Sequence, residues 1–490
     1  MGSAPSKPTD FVEPSLDEKH FTQSLASLNL ASAPVSKDGT LSLGNVSSWE
    51  STVAADPKAQ LARTILSHSD IRSALVSRSA RIADAHVFNT ELDFKTGPVT
   101  NQKSSGRCWL FATTNVVRYD IMKKLNLSDF QFSQLNKCNY YLELSIENAD
   151  RPLDDRLVNH LSGDLISDGG QWDMVVNLLE NYDQVEGARV DPALSGISTS
   201  AEAHSEQTIQ TLLRVKKEEL MKEIYRIMSA TLGVPPRPDE KFVWEYYNAD
   251  GKPGRWEGSA LEYYKTFSNK TYPPSSSFSL INDPRNEYSK LYTVDKLDVN
   301  TEIKTMKDTV VKLIKAGLPV FFGCDVGKFS DSGMGIMDTD LFEYENAFDI
   351  TLGLTKAERL QVNESAMTHA MVISGVHLDA SGVPVRYKVE NSWSETSGNK
   401  GYFMMTDKWF EQFVYQVVVP KALAPKDLVK VYEDGNAIVL PPWDPMVSRM
   451  YFGRLVANAT GAVGSTCINN YLRPYNLYSV SLCVSILSTF

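Results

Sequence analysis

The spacing of apolar residues predicts several helices in the first half of the chain. Between residues 107 and 125, Leu110, Val117 and Ile121 fall on one face, and no glycine or proline interrupts the pattern. The stretch IQTLLRVKKEELMKEIYRIMSATL, which starts at residue 209, has the same period and places its Lys and Glu residues on a solvated face. Further helices are predicted over residues 51–85 and 172–179.

After residue 366 the pattern changes to the two-residue period of β-strands. Before this change, residues 235–300 are rich in Pro, Tyr, Asn and Ser, with a turn at 248–251 between two aromatic runs, which is typical of an insertion. The order of helices, insertion and strands predicts an α+β fold with two lobes and a cleft between them. The strands are predicted over residues 370–373, 385–389 and 402–405, with turns at 379–382 and 397–401.

The composition is that of a globular chain of 490 residues, long enough for two or three lobes. Its 42% hydrophobic and 22% charged residues exclude wholesale disorder. The net charge of −11 disfavours nucleic acid as a partner, although a local basic patch stays open as an alternative. No apolar run reaches the roughly 18 residues that indicate a transmembrane helix, and the first residues lack the pattern of a secretory signal.

The five cysteines are sparse and odd in number, which argues against a disulfide scaffold. No pair has the C-x-x-C spacing of a zinc or thioredoxin-like site, so we expect neither a metal nor a cofactor. A reducing compartment, and hence a cytoplasmic protein, is therefore predicted. The cysteines are Cys108, Cys138, Cys324, Cys467 and Cys483.

The first seven residues, MGSAPSK, fit the N-myristoylation pattern. The alternative is a disordered polar start, because a pattern this short arises often by chance. A single acyl chain would in any case give only reversible membrane binding.

The segment PVTNQKSSGRCWLFA, residues 98–112, carries the strongest chemical signal. Cys108 lies at the predicted start of a helix, where unpaired N–H groups and the helix dipole favour a thiolate. Gln102 lies on the preceding loop, so its amide and the Cys108 N–H could form an oxyanion hole. The alternative is a buried structural cysteine. The Gln-to-Cys spacing and the Trp after the Cys resemble the papain superfamily signature P-V-x-x-Q-x-x-x-G-x-C-W-x-F-[AS].

Three later segments carry the same resemblance. They are MTHAMVISGV at residues 367–376, KVENSWS at 388–394 and GNKGYF at 398–403. The resemblance implies that His369 is the base of a nucleophilic Cys108. It implies that Asn391 orients the imidazole and that Trp393 covers their hydrogen bond and contributes to substrate binding. His377 has a poorer setting for the base, because it would lie at the far end of the same strand.

A further segment, SDGGQW at residues 167–172, lies where secreted members of the superfamily have G-C-x-G-G. In those members the cysteine pairs with another, three residues before the nucleophile. Here both positions are serine, Ser167 and Ser105, which agrees with a reducing compartment. The resemblance implies that Gly169 and Gly170 line the substrate backbone. An ordinary helix start capped by Asp168 is the alternative, and both interpretations can hold together.

Some 250 residues separate the cysteine and histidine motifs, and PPWDPM follows at 441–446. With these features, residues 20–446 resemble the bleomycin hydrolase family, a long cytosolic branch of the papain superfamily. The resemblance implies a papain-like core with a large helical insertion and a homohexamer whose active sites face an internal chamber. It implies aminopeptidase activity on peptide and aminoacyl-amide substrates, hydrolysis of bleomycin, and hydrolysis of homocysteine thiolactone.

The family usually ends soon after the Trp-Asp-Pro-Met motif, with its terminal carboxylate where the substrate amine binds. Here 44 residues follow Met446, with few acids and two of the five cysteines. Our favoured interpretation is intron read-through in the gene model, because Val447-Ser448 is what a GTAAGT splice donor encodes. A genuine or a processed extension are the alternatives.

Two other classes of function compete with the hydrolase. A catalytically idle papain-like scaffold is disfavoured because Cys108, His369 and Asn391 are all present. A nucleic-acid-binding chamber protein is disfavoured by the net charge. The predicted division of the chain is an N-terminal arm at 1–60, a helical lobe with the nucleophile at 61–200, a helical insertion at 201–350, a β-rich lobe with His369 and Asn391 at 351–446, and an atypical tail at 447–490.

Overall fold

The computed structural model of the protein describes most of residues 40–446. The described residues form two compact units, which we call the sheet unit and the helical unit. The sheet unit comprises the described residues up to Asn101 and those from Ser276 onward, and the helical unit comprises those from Gln102 to Ser275. Most of the predicted arm, the whole predicted tail, and Ser167 with Asp168 lie outside the described residues. The described residues are 40–132, 146, 148–149, 151–162, 169–180, 209–234, 237, 239–293 and 297–446.

The sheet unit is built on one mixed sheet, in which the described residues contribute twelve strands. Strand His369–Leu378 lies near its centre, between Val320–Cys324 and Pro384–Glu390, and pairs antiparallel with both. Across the sheet the strands run in the order Ala437–Val439, Lys290–Thr293, Leu297–Asn300, Ser277–Ile281, Val414–Pro420, Val320–Cys324, His369–Leu378, Pro384–Glu390, Tyr402–Thr406, Ile336–Met337 and Ser330–Asp331, and Thr90–Glu91 pairs with His369–Leu378.

The three predicted strands are present, and each is longer than its pattern indicated. The sheet also extends upstream of residue 351, where the sequence-based division placed the start of the β-rich lobe. Strands Ser277–Ile281 and Val320–Cys324 are buried along their whole length. A strand buried on both faces is a continuous apolar run without alternation. Such a strand cannot be recognised from a two-residue period in the sequence.

Helices surround this sheet and complete its core. Helix Ile303–Lys315 buries Met306, Val310 and Leu313 in the main apolar cluster, together with residues of the central strands. Part of the predicted arm contributes to two successive helices, Leu43–Ala55 and Pro57–Leu66. The side chains of Ser42 and Asp56 cap their first turns and so stabilise them. The helices of the sheet unit are Leu43–Ala55, Pro57–Leu66, Ile71–Ala74, Arg78–Ala83, Ile303–Lys315, Tyr344–Phe348, Lys356–Gln361, Asp407–Phe413 and Lys426–Asp434.

The helical unit contains the predicted long helices and one β-hairpin. The turn predicted at residues 248–251 joins the two hairpin strands, and Gly251 adopts the positive φ that such a turn requires. Aromatic side chains of the hairpin and of helix Ala260–Phe267 form a local core. The elements are helices Cys108–Leu125, Arg156–Ser162, Trp172–Glu180, Ile209–Leu232 and Ala260–Phe267, with hairpin strands Phe242–Tyr247 and Pro253–Gly258. A short 3-10 helix covers Pro274–Ser276.

The last described segment, residues 441–446, is anchored in the sheet unit by a buried charge cluster. Arg285 donates to both carboxylate oxygens of Asp283 at 2.9 and 2.7 Å and to Asp444 at 2.8 Å. Asp444 also accepts from the Met446 amide at 2.8 Å, and the Met446 side chain is buried. A paired and hydrogen-bonded cluster of this kind tolerates burial, whereas a lone buried charge would not. No helix among the described residues has both the length and the apolar character needed to cross a membrane.

Candidate active site

Cys108 is the first residue of helix Cys108–Leu125, as its motif predicted. Its side chain is buried, and its sulfur lies 3.8 Å from the carbonyl oxygen of Gly106. Arg107 occupies the cap position and makes no side-chain capping bond there. The positive end of the helix dipole therefore lies at the sulfur, where it stabilises a thiolate.

Gln102 lies on a tight loop whose ends are tied together by side chains. Its Nε2 donates to the carbonyl oxygen of Ser105 at 2.5 Å, and the Ser105 hydroxyl donates to the carbonyl oxygen of Gln102 at 2.7 Å. Lys103, between them, adopts a left-handed conformation with φ of 56°. A primary amide carries two hydrogens, so the Ser105 bond uses one of them. Ser105, identified only as a replaced cysteine, thus stabilises the loop that presents Gln102.

Gly170 is buried against the tryptophan that follows the nucleophile. A Cβ atom at residue 170 would lie 2.5–2.7 Å from three ring atoms of Trp109, so only glycine fits without displacing the ring. Gly169 is half-buried beside it, and the predicted helix follows as Trp172–Glu180. Gly170 therefore packs against Trp109 within the helical unit, in addition to the substrate contact that the resemblance implies for it.

The sheet unit brings His369, Asn391 and Trp393 together. His369 begins its strand and is fully buried, and its Nε2 lies 2.9 Å from Asn391 Oδ1. The indole of Trp393 covers the imidazole, with ring centroids 4.9 Å apart and 32° between the planes. A cover of this kind excludes water from the hydrogen bond, so that the bond fixes the plane of the ring.

The hydrogen bonds at Asn391 also assign the imidazole tautomer. The backbone amide of Ser392 donates to Asn391 Oδ1 at 2.8 Å, which identifies that atom as the acceptor oxygen. His369 Nε2 must therefore carry a hydrogen. In the neutral ring the other nitrogen, Nδ1, is then the basic one.

Burial keeps this imidazole neutral. Burial lowers the pKa of His369 to about 4, and the hydrogen bond to Asn391 acts in the opposite direction. The neutral ring is thus the form present near pH 7 in these surroundings. An imidazolium would require an adjacent anion, such as a thiolate, to compensate the loss of solvation.

The chain that leads into Gln102 is attached to the Trp393 loop. Asn101 forms an antiparallel bridge with Trp393, and the amide of Ser394 donates to the carbonyl oxygen of Thr100 at 3.0 Å. Gln102 follows directly in the chain.

The structure adds a buried polar cluster that the motifs did not indicate. The hydroxyls of Ser365 and Thr368, which shortly precede His369, both donate to the carboxylate of Asp325. The only local signal was the polar residue Thr368 next to the histidine, because Asp325 lies after strand Val320–Cys324, far earlier in the chain.

Comparisons with known proteins identify the family of the chain. A sequence model of the Peptidase C1-like family matches residues 40–447. The chain is 36% identical to the mitochondrial cysteine proteinase 1 of Saccharomyces cerevisiae, covering 83% of this chain and 92% of that protein. It is also 36% identical to human bleomycin hydrolase, covering 80% and 95%.

A solved structure is similar as well. The crystal structure of PepW from Lactobacillus rhamnosis matches with a TM-score of 0.73 at 33% identity, covering 84% of this chain and 99% of that one. The resemblance stated from the motifs, and the fold class that it implied, are confirmed. The chain therefore belongs to the Peptidase C1-like family, and it is a cysteine-type aminopeptidase with a papain-like α+β fold.

Proposed function

We propose that Cys108, His369 and Asn391 carry out this activity as nucleophile, base and orienting residue. The observation that carries the proposal is the buried His369–Asn391 hydrogen bond of 2.9 Å, which leaves Nδ1 as the basic nitrogen of the ring. A nucleophilic thiol requires such an oriented base. The position of Cys108 at a helix start supports its role as the nucleophile.

The proposed reaction has two steps. The Cys108 thiol gives its proton to His369, and the thiolate attacks the carbonyl carbon of the scissile amide. The tetrahedral oxyanion accepts hydrogen bonds from the Gln102 amide and the Cys108 N–H. His369 then protonates the leaving amine, and an acyl thioester remains on Cys108. Water, losing a proton to His369, attacks the thioester, which releases the carboxylic acid and restores the thiol.

We assign peptides and aminoacyl amides as the substrate class, with Gly169, Gly170 and Trp393 in contact with the substrate. The relatives named cysteine proteinase and bleomycin hydrolase support this assignment, and amides such as bleomycin belong to the same chemistry. The homocysteine thiolactone reaction needs the same attack on an activated carbonyl. The idle-scaffold and nucleic-acid-binding alternatives receive no support from the family match.

A fluorogenic assay tests the proposal. The purified protein is expected to release aminocoumarin from aminoacyl and peptidyl amides, and iodoacetamide is expected to stop the reaction as one thiol is alkylated. Peptide mass mapping should place that alkyl group on Cys108. Hydrolysis that survives complete alkylation of Cys108 would exclude the proposed nucleophile.

Replacing Gln102 with alanine is expected to separate hydrolysis from thiol reactivity. One oxyanion-hole donor contributes about 2.7–4 kcal/mol to the transition state, so turnover should fall by about 10²–10³-fold. Alkylation of Cys108 forms no oxyanion and should keep its rate. The control is Ser105→Ala, which removes the bond that closes the loop but not the amide. An equal loss in both reactions for Gln102→Ala would show that this residue supports only the loop.

We also propose a homohexamer in the cytoplasm, on the basis of the family resemblance. Sedimentation of the purified protein and imaging of a tagged full-length chain test these two points. A monomer, or exclusive residence in an organelle, would contradict the respective point.

A further inference from the structure

The loop before His369 is held by one buried carboxylate. Asp325 follows strand Val320–Cys324, and Cys324 pairs directly with His369 in the sheet. Oδ2 of Asp325 accepts from the Ser365 hydroxyl at 2.8 Å, and Oδ1 of Asp325 accepts from the Thr368 hydroxyl at 3.2 Å. The backbone amide of Ala366 donates to the same carboxylate. Three donors from the four residues that precede the base therefore converge on one side chain.

Further contacts hold the cluster from behind. The hydroxyls of Ser365 and Tyr415 lie 2.7 Å apart, and Tyr415 is buried in the neighbouring strand Val414–Pro420. Because Ser365 donates to Asp325, the Tyr415 hydroxyl must donate to Ser365. The ammonium of Lys356 lies 4.8 Å from the centroid of the Tyr415 ring and donates to Asn282 Oδ1 at 2.8 Å. The side chains of the cluster thus have little freedom to rotate.

Burial and hydrogen bonding act in opposite directions on the pKa of Asp325. Burial raises the pKa of this carboxyl, and the hydrogen bonds from Ser365, Thr368 and Ala366 act in the opposite direction, together with nearby Lys328. The net effect is a raised pKa, and the two oxygens of Asp325 accept the bonds from Ser365, Thr368 and Ala366.

Resting on the function proposed above, we propose that Asp325 is a positioning residue for His369. Thr368, which precedes the base, is fixed twice: its amide donates to the carbonyl oxygen of Cys324 at 2.9 Å and its hydroxyl to Asp325. These two bonds fix the backbone that leads into His369. From that fixed position the imidazole directs Nε2 to Asn391 in a single ring orientation. In this role Asp325 acts through Thr368.

The test compares Asp325→Asn and Thr368→Val with the conservative variant Thr368→Ser. A misplacement of the base by about 1 Å costs on the order of 10²-fold in rate, so kcat should fall by about 10–10²-fold while KM changes less than about twofold. Thr368→Ser retains the hydroxyl and should keep the wild-type rate. Asp308→Asn removes an exposed carboxylate of the same unit and serves as the matched control.

The pH profile of Cys108 alkylation supplies a readout that a purely structural role would not change. The imidazolium stabilises the thiolate and so lowers the pKa of the thiol. A displaced His369 loses part of this effect, so the acidic limb of the profile should move to higher pH in Asp325→Asn and Thr368→Val. A lower melting temperature with an unchanged profile and unchanged kcat would overturn the proposal.

Two comparisons between variants keep the outcomes separate. If Asp325→Asn does not fold, the comparison of Thr368→Val with Thr368→Ser decides alone, and equal kcat in these two overturns the proposal. Asn391→Ala calibrates the assay, because it removes the orienting bond directly. If Asn391→Ala shifts the profile but the Asp325 and Thr368 variants do not, the positioning role is wrong. If Asn391→Ala also leaves the profile unchanged, the catalytic assignment itself fails.

Discussion

Replacing Cys108 with alanine is expected to abolish hydrolysis while the fold and assembly persist. The thiolate forms the acyl intermediate, and removal of a nucleophile costs several orders of magnitude in turnover. Residual activity should therefore lie below about one-hundredth of wild type in an aminoacyl-coumarin assay. The melting temperature and the sedimentation coefficient report on the fold and the assembly.

The matched control is Cys324→Ala, which removes the other buried cysteine of the described residues. Its side chain belongs to the apolar core of the sheet unit, so its loss should lower stability without abolishing turnover. His369→Ala should be nearly as damaging as Cys108→Ala, because it removes the proposed base. Appreciable turnover in Cys108→Ala, above one-hundredth of wild type, would end the assignment of this residue.

A chain that ends at Met446 is expected to prefer free-amine substrates more strongly than the 490-residue chain. The matching family model ends at residue 447, and Arg285 anchors Asp444, which in turn accepts from the Met446 amide. A terminal carboxylate there would pair with the α-ammonium of the substrate. A charge-assisted hydrogen bond contributes about 1.5–3 kcal/mol, which corresponds to about 10–10²-fold in the ratio of kcat/KM for free over N-acylated substrates.

Two controls isolate the charge from the length. A chain ending at Met446 with a C-terminal amide, prepared by intein cleavage with ammonia, has the same length and lacks the carboxylate. A chain ending at residue 470 retains a carboxylate at a different place. Both should behave like the 490-residue chain. Mass spectrometry of the native protein is the companion measurement, and an intact Phe490 on a fully amine-selective enzyme would contradict this model of the tail.

Short motifs predicted the site residues because the chemical role of each depends on residues only a few positions away in the chain. Cys108 at its helix start, and Asn391 beside Trp393, depend on neighbours in the chain. The hairpin around Gly251 was equally local, because its turn and its aromatic runs lie together in the sequence.

Features that depend on distant partners could not be predicted in the same way. Strand Val320–Cys324 is apolar throughout and shows neither its place beside His369 nor its register. Asp325 looks like any acid at the end of a strand until Ser365 and Thr368 are brought to it. Ser105 looked like a lost cysteine, although its hydroxyl closes the Gln102 loop. In each case long-range packing determines the role.

The strand order of the sheet unit has a consequence for biosynthesis. Strand Val414–Pro420 lies between Ser277–Ile281 and Val320–Cys324, although it is made after both. In a nascent chain that has not yet reached residue 414, the strands of the sheet therefore form two unconnected parts. The described residues of the helical unit lie between 102 and 275, so they are synthesised while the sheet still lacks this strand. Cys108 is therefore synthesised long before the strand that joins the two parts of the sheet.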